Sequence, residues 1–454
     1  MRLFVILTGS IIFYGWWDWR FLLLIFATGT VDFFAALGMK RFSSRIMQKF
    51  FLICSLVFDL GMLSVFKYSS FFAENIDALF NHIGIPCNLQ NNIPAFCLIL
   101  PVGISFYTFQ SLSYTIDVYQ KRLVPTSNFI HFMSYLMFFP QLVAGPIVRA
   151  KDLLYRLLEK PDITAAGTVS GIKLIVLGFF KKCFIADNVA LFVNTSFAEM
   201  FTCNSTAVWW LTMILFSIQI YGDFSGYSDI ARGLAKILGY RFPLNFNHPY
   251  TATGFRDFWR RWHISLSGWF MNYVYLPLGG NAEKYGVKNI KNKIRTNFNL
   301  FTTMLLSGIW HGASWNFVLW GMVHGTLLSA ERLLHFPKFL KGRWEYSLKW
   351  LLMIFLIPQT WIFFRAENLD QIRHIFRSMY QYSPFPDDNE ILNCWPFLLS
   401  FVILEVYLCI HPLRFLPERI SGFIKKHDDF GFALIGILTL FFRGAGNEFI
   451  YFQF

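Results

Sequence analysis

The chain has 454 residues, of which 55% are hydrophobic, 20% aromatic and only 15% charged, and its net charge is +13. Soluble domains carry about 25% charged residues, so this chain has too little polar material to cover a soluble protein, and lipid is the solvent that suits most of it. The basic residues fall in short loops between apolar segments, which is typical of cytoplasmic loops and argues against nucleic-acid binding. These loops include Lys40, Arg41, Arg45, Lys49, Lys121, Arg122, Lys284, Lys288, Lys291, Lys293 and Arg295.

The first apolar run begins directly after Met1-Arg2 and extends from Leu3 to Tyr14. A cleaved signal peptide would be followed by small residues at a cleavage site, whereas this run is followed by the cluster Trp16-Trp17-Asp18-Trp19. Tryptophan favours the membrane interface. The pattern therefore predicts a retained first membrane helix.

The apolar segments that follow predict an all-α, polytopic membrane protein. A spanning helix needs about 20 mostly apolar residues, and this criterion predicts roughly 10 to 11 spans, some of them short or re-entrant. They cover approximately residues 3–17, 21–39, 50–66, 94–115, 130–147, 170–190, 206–222, 299–330, 347–364, 395–412 and 431–443. Because no repeat, low-complexity stretch or linker interrupts the pattern, residues 1–454 are predicted to form a single membrane domain.

Residues 240–280 do not read as a simple span. Charged residues alternate there with large aromatic residues, a mixture that suits neither the lipid core nor open water. Pro243, Pro249 and Pro277 would divide any helix in this region into short pieces. The segment is predicted to form short helices that lie at the membrane interface or are buried within the protein.

The run 299–330 is too long for one straight span. Its 32 residues would form a helix of about 48 Å, against a hydrocarbon core of about 30 Å. Gly308 and Gly312 offer positions for a break, and His311 lies between them. A broken helix at membrane depth is tolerated where it is buried in protein or lines a cavity, so His311 is predicted to lie at such a break.

His311 is the sharpest candidate for chemistry, because ionisable residues within a membrane protein are costly to retain. A neutral imidazole suits general-base catalysis near neutral pH, and a buried structural histidine is the alternative. His324 follows 13 residues later, which is about 220° around an unbroken helix, so the two rings would face opposite sides unless a break separates them. This spacing favours a structural His324.

Other polar residues have weaker individual signals. His263 follows Arg260, Arg261 and Trp262; it is either held by these charges for catalysis or is an interfacial histidine in a basic patch. The two arginines could contact a lipid phosphate, a donor phosphate or neither. Asp223, in a glycine-rich polar stretch with Ser225 and Asp229, is predicted to pair structurally with nearby arginines.

The seven cysteines include no CxxC pair and predict no metal site. A disulfide among Cys87, Cys97, Cys203 and Cys394 is one alternative, and unpaired cysteines near membrane segments are the favoured one. The sequence also lacks a Gly-x-Ser-x-Gly, a Walker A or a dinucleotide fingerprint.

Four stretches together resemble the membrane-bound O-acyltransferase family, within it the alginate and peptidoglycan O-acetyltransferase branch. The match is dense from about residue 100 to 330 and loose elsewhere. The stretches are Phe138-Phe-Pro-Gln-Leu-Val-Ala-Gly-Pro-Ile-Val-Arg149, Gln219-Ile-Tyr-Gly-Asp-Phe-Ser-Gly-Tyr-Ser-Asp229, Phe255-Arg-Asp-Phe-Trp-Arg-Arg-Trp-His-Ile-Ser-Leu-Ser267 continuing through Tyr275-Leu-Pro-Leu-Gly-Gly-Asn281, and Ser307-Gly-Ile-Trp-His-Gly-Ala-Ser-Trp-Asn316 with Trp320-Gly-Met-Val-His-Gly325. The end of the chain, Phe449 to Phe454, resembles the family as well.

The resemblance implies that His311 is the catalytic histidine on the floor of a central funnel or tunnel, and that His263 is the second polar position of the site. The expected mechanism is acyl transfer from a thioester, in which His311 takes the proton of an acceptor hydroxyl or positions the hydroxyl for attack, while His263 or nearby polar groups orient the donor or stabilise the oxyanion. An acyl-enzyme on His311 or on a serine of a partner is the alternative. Residues expected to bind substrate around them are Trp310, Trp262, Arg260, Arg261, Asp223, Ser225, Asn316 and His324.

The resemblance also implies the reaction and its setting. Acetyl-CoA in the cytoplasm is the expected acyl donor, with no bound cofactor or metal, and a polysaccharide outside the cytoplasm is the expected acceptor. The expected location is the bacterial inner membrane, with a periplasmic or membrane-anchored partner that completes the transfer.

Two other functions remain as alternatives. One is D-alanyl transfer from a carrier protein to a cell-wall polymer, although the stretch from Gln141 to Arg149 is more similar to the acetylating branch. The other is a transporter that moves acyl groups without chemistry, which a broken helix with a polar centre would also fit. No inverted pair of interrupted segments supports the transporter.

Overall fold

The computed structural model describes residues 1–198, 205–280, 290–334, 342–383, 393–410, 418–447 and 449–450; these ranges are helical and contain no strand. Cys203, Asn281, Lys284, Lys288 and residues 451–454 lie outside them. The first ten α-helices are α1 (Arg2–Asp18), α2 (Leu22–Arg41), α3 (Arg45–Leu63), α4 (Ser69–His82), α5 (Ile104–Tyr119), α6 (Phe129–Leu136), α7 (Phe139–Leu142), α8 (Ala150–Leu153), α9 (Ala165–Phe179) and α10 (Asp187–Ala198). The others are α11 (Thr206–Ile237), α12 (Phe255–Trp259), α13 (Ile264–Phe270), α14 (Ile290–His311), α15 (Trp315–Leu333), α16 (Arg343–Thr360), α17 (Ile362–Arg365), α18 (Leu369–Tyr380), α19 (Trp395–Ile410) and α20 (Glu418–Phe441).

The polytopic, all-α prediction is confirmed, but within the described ranges fewer helices are long enough to cross a membrane than the predicted 10 to 11 spans, and several apolar runs are interrupted. Four helical stretches are long and apolar enough to cross a membrane, namely Arg2–Arg41, Arg45–His82, Thr206–Ile237 and Arg343–Arg365, and Trp395–Cys409 is shorter. The predicted span 130–147 consists of the short helices α6 and α7 instead. Hydropathy alone does not predict where a helix is interrupted, because the residues at such interruptions are apolar too.

Helices α9 and α11 form a closely packed pair at the centre of the chain. A Cβ on Gly178 would lie 2.5 Å from the carbonyl oxygen of Gly226, and one on Gly171 would lie 2.8 Å from that of Gly233. Small residues at such contacts are typical of helix pairs in membranes, where tight packing replaces the hydrophobic effect. The glycine-rich stretch around Asp223 therefore lies on a helix whose glycines serve this close approach.

The mixed segment 240–280 forms short helices, as predicted, and its aromatic residues point inward. Phe258, Trp262 and Trp269 are buried, whereas Arg256 and Arg260 are exposed. The ring of Trp269 stacks on Phe109 of α5 with centroids 3.7 Å apart. The segment is therefore packed into the protein by one face while its arginines remain at the surface.

The cysteines of the described ranges form no disulfide. Cys87, Cys97 and Cys394 are free thiols. The alternative of a disulfide among these three is therefore wrong, while Cys203 lies outside the described residues.

Candidate active site

The long apolar run is broken directly after His311, where the length argument required a break. Helix α14 ends at His311 and α15 begins at Trp315. The hydroxyl of Ser314 accepts the backbone N–H of Asn316 at 3.2 Å and so caps the start of α15. His311 thus occupies the last residue of one helix of a tight helical hairpin.

Gly308 is not part of this break, contrary to the expectation from the sequence. It lies within α14, where an added Cβ would lie 2.3 Å from the carbonyl oxygen of Phe317 and 2.9 Å from Cα of Gly321. Gly308 and Gly321 therefore let the two helices of the hairpin touch through their backbones. The glycine that follows His311, Gly312, faces the ring of Phe317 in the turn.

Three buried histidines and two tryptophans form a row of adjacent rings. The ring centroids of His263 and Trp310 are 6.3 Å apart, and those of Trp310 and His311 are 5.0 Å apart. The row continues from His311 to Trp320 at 5.0 Å and from Trp320 to His324 at 4.6 Å. Because the helix break is present, His311 and His324 both pack against Trp320 instead of facing opposite sides.

The backbone at His263 is unusual and is held by Asn245. His263 has a positive φ of 41°, in the left-handed region that non-glycine residues rarely adopt. The side-chain oxygen of Asn245 accepts the backbone N–H of Ser265 at 3.2 Å and lies 3.2 Å from Nδ1 of His263. A backbone N–H can only donate, so the facing atom of Asn245 is its oxygen, and Nδ1 of His263 must carry the proton. Nε2 is then the nitrogen with the lone pair.

A cavity of about 40 Å³ adjoins His311. A water molecule needs roughly 10–15 Å³ of such space, so the cavity has room for a few waters. Its lining residues come from four parts of the chain and comprise Lys67, residues 100–106, Val143, Trp310 and His311. His263 and His324 do not line it, so among the three histidines the cavity singles out His311.

Lys67 is the cation of this cavity, and it is not among the site residues predicted from the sequence. Its ammonium donates to the carbonyl oxygens of Trp310 and His311, each at 2.8 Å, and lies 3.4 Å from Oγ of Ser105. Lys67 is more than 240 residues from His311 in the chain. The signal available in the sequence was a lysine directly after the apolar run 50–66, since a charge at such a position in a membrane protein is a candidate functional residue.

The three residues that precede His263 differ in burial and in their contacts. Arg260 is exposed, and Arg261 pairs with Asp257 at 2.9 Å. Trp262 is buried against Phe258, with ring centroids 5.6 Å apart, and lies 4.8 Å from Trp361. None of these three lines the cavity beside His311, and their roles in substrate binding stay predictions.

Asp223 and Asn316 make structural contacts. Asp223 pairs with Lys182 at 2.7 Å and accepts the backbone N–H of Ile450 at 2.7 Å. Asp223 is therefore paired, with a lysine and not with an arginine, and its role in substrate binding stays a prediction. The amide of Asn316 donates to the carbonyl oxygen of Ala366 at 2.6 Å, which holds the end of α17.

Ser225 and His324 are the remaining residues expected to bind substrate. Ser225 is buried, and its hydroxyl has no hydrogen-bond partner within the described ranges. His324 is fully buried against Phe255, Trp259 and Trp320, and neither ring nitrogen has a hydrogen-bond partner among the residues described. The aromatic enclosure of His324 agrees with a packing role.

One group of side chains in the described ranges has the composition of a metal site. Ligand atoms of His248, Glu405 and Cys409 lie within 4.8 Å of one another. The carboxylate of Glu405, however, accepts the Tyr221 hydroxyl at 3.0 Å and contacts Nδ1 of His248 at 2.8 Å. Both oxygens are therefore engaged in hydrogen bonds, which explains the cluster without an ion.

Comparison with known proteins decides the family. The sequence model of MBOAT, the membrane-bound O-acyltransferase family, matches residues 118–337. The chain is 36% identical over 417 residues to the probable alginate O-acetylase AlgI of Azotobacter vinelandii, covering 89% of this chain and 79% of that protein. The chain belongs to the membrane-bound O-acyltransferase family. It is an acyltransferase, and the alternative of an acyl-group transporter without chemistry is set aside.

Other members of the family are similar over most of their length. The chain is 38% identical over 386 residues to the probable alginate O-acetylase AlgI of Pseudomonas aeruginosa, covering 84% of this chain and 70% of that protein. It is 33% identical over 398 residues to the peptidoglycan O-acetyltransferase of Helicobacter pylori, covering 82% and 72%. The match to the teichoic acid D-alanyltransferase of Bacillus subtilis is shorter, 30% over 271 residues. These matches extend the family membership over most of the chain, and the role of His311 within it stays a prediction.

Proposed function

We propose that this protein transfers an acetyl group from acetyl-CoA in the cytoplasm to hydroxyl groups of a polysaccharide outside it, such as alginate or peptidoglycan. The observation that carries the proposal is the position of His311, at the end of α14 and in the wall of a cavity. Relatives that bear the names of alginate and peptidoglycan O-acetyltransferases support the chemistry.

In this mechanism His311 is the general base. Its imidazole accepts the proton of the acceptor hydroxyl as the hydroxyl oxygen attacks the thioester carbonyl. The new C–O bond forms, the C–S bond breaks, and the proton passes from the imidazolium to the leaving thiolate. His311 ends the cycle in its starting state, and no metal or redox cofactor is required for the balance.

His263 has a more restricted role than an oxyanion donor. Because Nδ1 carries the proton and faces Asn245, Nε2 can accept a hydrogen bond but cannot donate one in this tautomer. We propose that His263 instead helps to orient the acyl donor, as the resemblance to the family implies. Donors to the oxyanion must then come from other groups.

The test is acetyl transfer by the purified protein in nanodiscs, with radiolabelled acetyl-CoA and candidate glycans. His311→Ala is compared with wild type and with His82→Ala, an exposed histidine at the end of α4. We expect His311→Ala to abolish transfer and His82→Ala to retain it, provided that all three proteins are monodisperse. Equal transfer by wild type and His311→Ala would overturn the catalytic assignment.

D-alanyl transfer is the second candidate, favoured only by the shorter match to the teichoic acid D-alanyltransferase. The same assay separates the two functions when a D-alanyl thioester of a carrier protein replaces acetyl-CoA. Transfer of D-alanine with no transfer of acetate would replace the proposal.

We propose further that the protein resides in a bacterial inner membrane and works with a periplasmic or membrane-anchored acetyltransferase. The proposal rests on the bacterial relatives and on the apolar helices of the chain. Cell fractionation tests the location. Co-purification with the product of an adjacent gene tests whether the partner binds. The partner is required for function if glycans are acetylated only when both proteins are present.

A further inference from the structure

A lysine in the proposed site has no part in the mechanism above. Lys67 lies in the widened helical turn Ser64–Tyr68, which joins α3 to α4 within one continuous helical stretch. Widened turns of this kind occur frequently at functional sites, because they redirect side chains that a regular helix would place elsewhere. Here the turn directs both Lys67 and its neighbour Tyr68 towards the end of α14.

The two side chains hold three successive carbonyl groups. The hydroxyl of Tyr68 donates to the carbonyl oxygen of Ile309 at 2.7 Å, and the ammonium of Lys67 donates to those of Trp310 and His311 at 2.8 Å. The last carbonyls of a helix have no partner within it. The helix dipole also favours a cation at this end of the helix. Lys67 therefore caps α14 both by donating hydrogen bonds to its last carbonyls and by its positive charge.

The contacts of Lys67 make it a clamp and not a base. An ammonium has three N–H groups, and the third is directed towards Oγ of Ser105 in α5 at 3.4 Å. With all three engaged, Lys67 joins α14 to α5 and to its own helix. The residue whose carbonyl it holds is His311 itself, so the clamp fixes the backbone from which the imidazole extends.

We propose that Lys67 is a positioning residue for acyl transfer, which holds the end of α14 and thereby the imidazole of His311 at the cavity wall. The inference rests on the proposed function of His311. A displacement of about 1 Å at a reacting group is enough to cost on the order of a hundredfold in rate. Loss of the Lys67 ammonium would allow such a displacement, because the carbonyl oxygens of Trp310 and His311 would lose the donor that holds them.

The first experiment measures steady-state acetyl transfer from acetyl-CoA in nanodiscs for Lys67→Met, Lys67→Arg and wild type. Methionine keeps the apolar stem and removes every donor, and we expect kcat to fall about a hundredfold with KM nearly unchanged. Arginine can still donate to carbonyl groups and should restore activity to within about tenfold of wild type. Lys49→Met, on the exposed surface of α3, is the matched control and should match wild type.

A second readout does not depend on acetyl transfer. Diethyl pyrocarbonate modifies accessible unprotonated imidazoles, and peptide mass spectrometry gives the rate at His311 separately. We expect faster modification of His311 in Lys67→Met than in wild type or Lys49→Met. If Lys67→Met does not fold, Tyr68→Phe removes only the contact to Ile309 and should show a smaller change in the same direction.

The outcomes separate this inference from the proposed function. Unchanged kcat and unchanged modification of His311 in Lys67→Met would overturn the inference, and so would a rise in KM alone, which would make Lys67 a substrate-binding group. Equal losses in Lys67→Met and Lys67→Arg with unchanged modification would overturn it too. If wild type transfers no acetyl group from acetyl-CoA either alone or together with the partner acetyltransferase, the proposed function fails, and the modification rates still decide whether Lys67 holds His311.

Discussion

At the scale of single residues, the amide of Asn245 determines the chemistry available to His263. It binds the backbone of Ser265 and the imidazole of His263 through the same oxygen, while its nitrogen donates to the hydroxyl of Ser228 at 3.1 Å. In the sequence, His263 stands out by its neighbours, whereas Asn245 lies 18 residues earlier and shares no local pattern with it. Only the fold brings the two together.

We predict that Asn245→Ala lowers both stability and activity. Buried donors on Ser265 and His263 would lose their acceptor, at a cost of about 1–3 kcal/mol each. Asn245→Asp retains an acceptor oxygen and should keep more activity. Thermal melting and acetyl transfer per folded molecule measure the two effects, and wild-type activity in Asn245→Ala would show that the orientation of His263 does not matter.

His324 provides a second residue-scale prediction. A phenyl ring should satisfy the aromatic enclosure of His324 as well as the imidazole does, so His324→Phe is expected to retain the melting temperature and the activity. His324→Ala leaves a cavity and should lose about 2–5 kcal/mol of stability. A large loss of activity in a well-folded His324→Phe would instead place this histidine in catalysis.

At the scale of helices, the hairpin of α14 and α15 shows which features a sequence reveals. The break after His311 was predicted because an unbroken run would exceed the membrane thickness. The close contact between the two helices was not predicted, because the sequence allowed Gly308 to be the position of the break instead. The distinction depends on backbone atoms of Phe317 and Gly321, which no hydropathy pattern reports.

We predict that Gly308→Ala separates the two helices and lowers activity. The new methyl group would lie 2.3 Å from the carbonyl oxygen of Phe317, and overpacking of this kind typically costs about 1–3 kcal/mol. Gly61→Ala in α3 is the control, because no atom lies within 4 Å of its added Cβ. Melting temperature and kcat should fall in Gly308→Ala only; a drop of equal size in Gly61→Ala would contradict the packing argument.

At the scale of the whole molecule, the end of the described chain is fastened to the central helix α11. Asp223 receives the N–H of Ile450, and Lys182 connects Asp223 with Asp187 at 2.9 Å and with the carbonyl oxygen of Asn447 at 3.1 Å. Composition and hydropathy predicted the membrane class, and the motifs predicted the family. Neither hydropathy nor the motifs predicted the contacts between residues 180–230 and 447–450, because charge pairing between residues so far apart in the chain is not visible in one sequence.

We predict that Asp223 acts on stability and not on turnover. Asp223→Ala removes one partner of a buried ion pair and should destabilise the protein by about 3–5 kcal/mol. Asp223→Asn keeps an acceptor for Ile450 and should lose less. Melting temperatures and activity per folded molecule distinguish the roles: reduced activity at unchanged stability would restore Asp223 as a substrate-binding residue.

The aromatic rings around His311 also affect how much of the acyl donor is lost to hydrolysis in the proposed reaction. A thioester beside a general base is open to attack by any hydroxyl, including that of water, and hydrolysis would waste the donor. His311 is 4% exposed, and the rings of Trp310, Trp320 and Phe364 each lie 5.0 Å from it. Within the described part of the chain a small cavity adjoins the base, so an acceptor group that fills this cavity displaces water, its chief competitor.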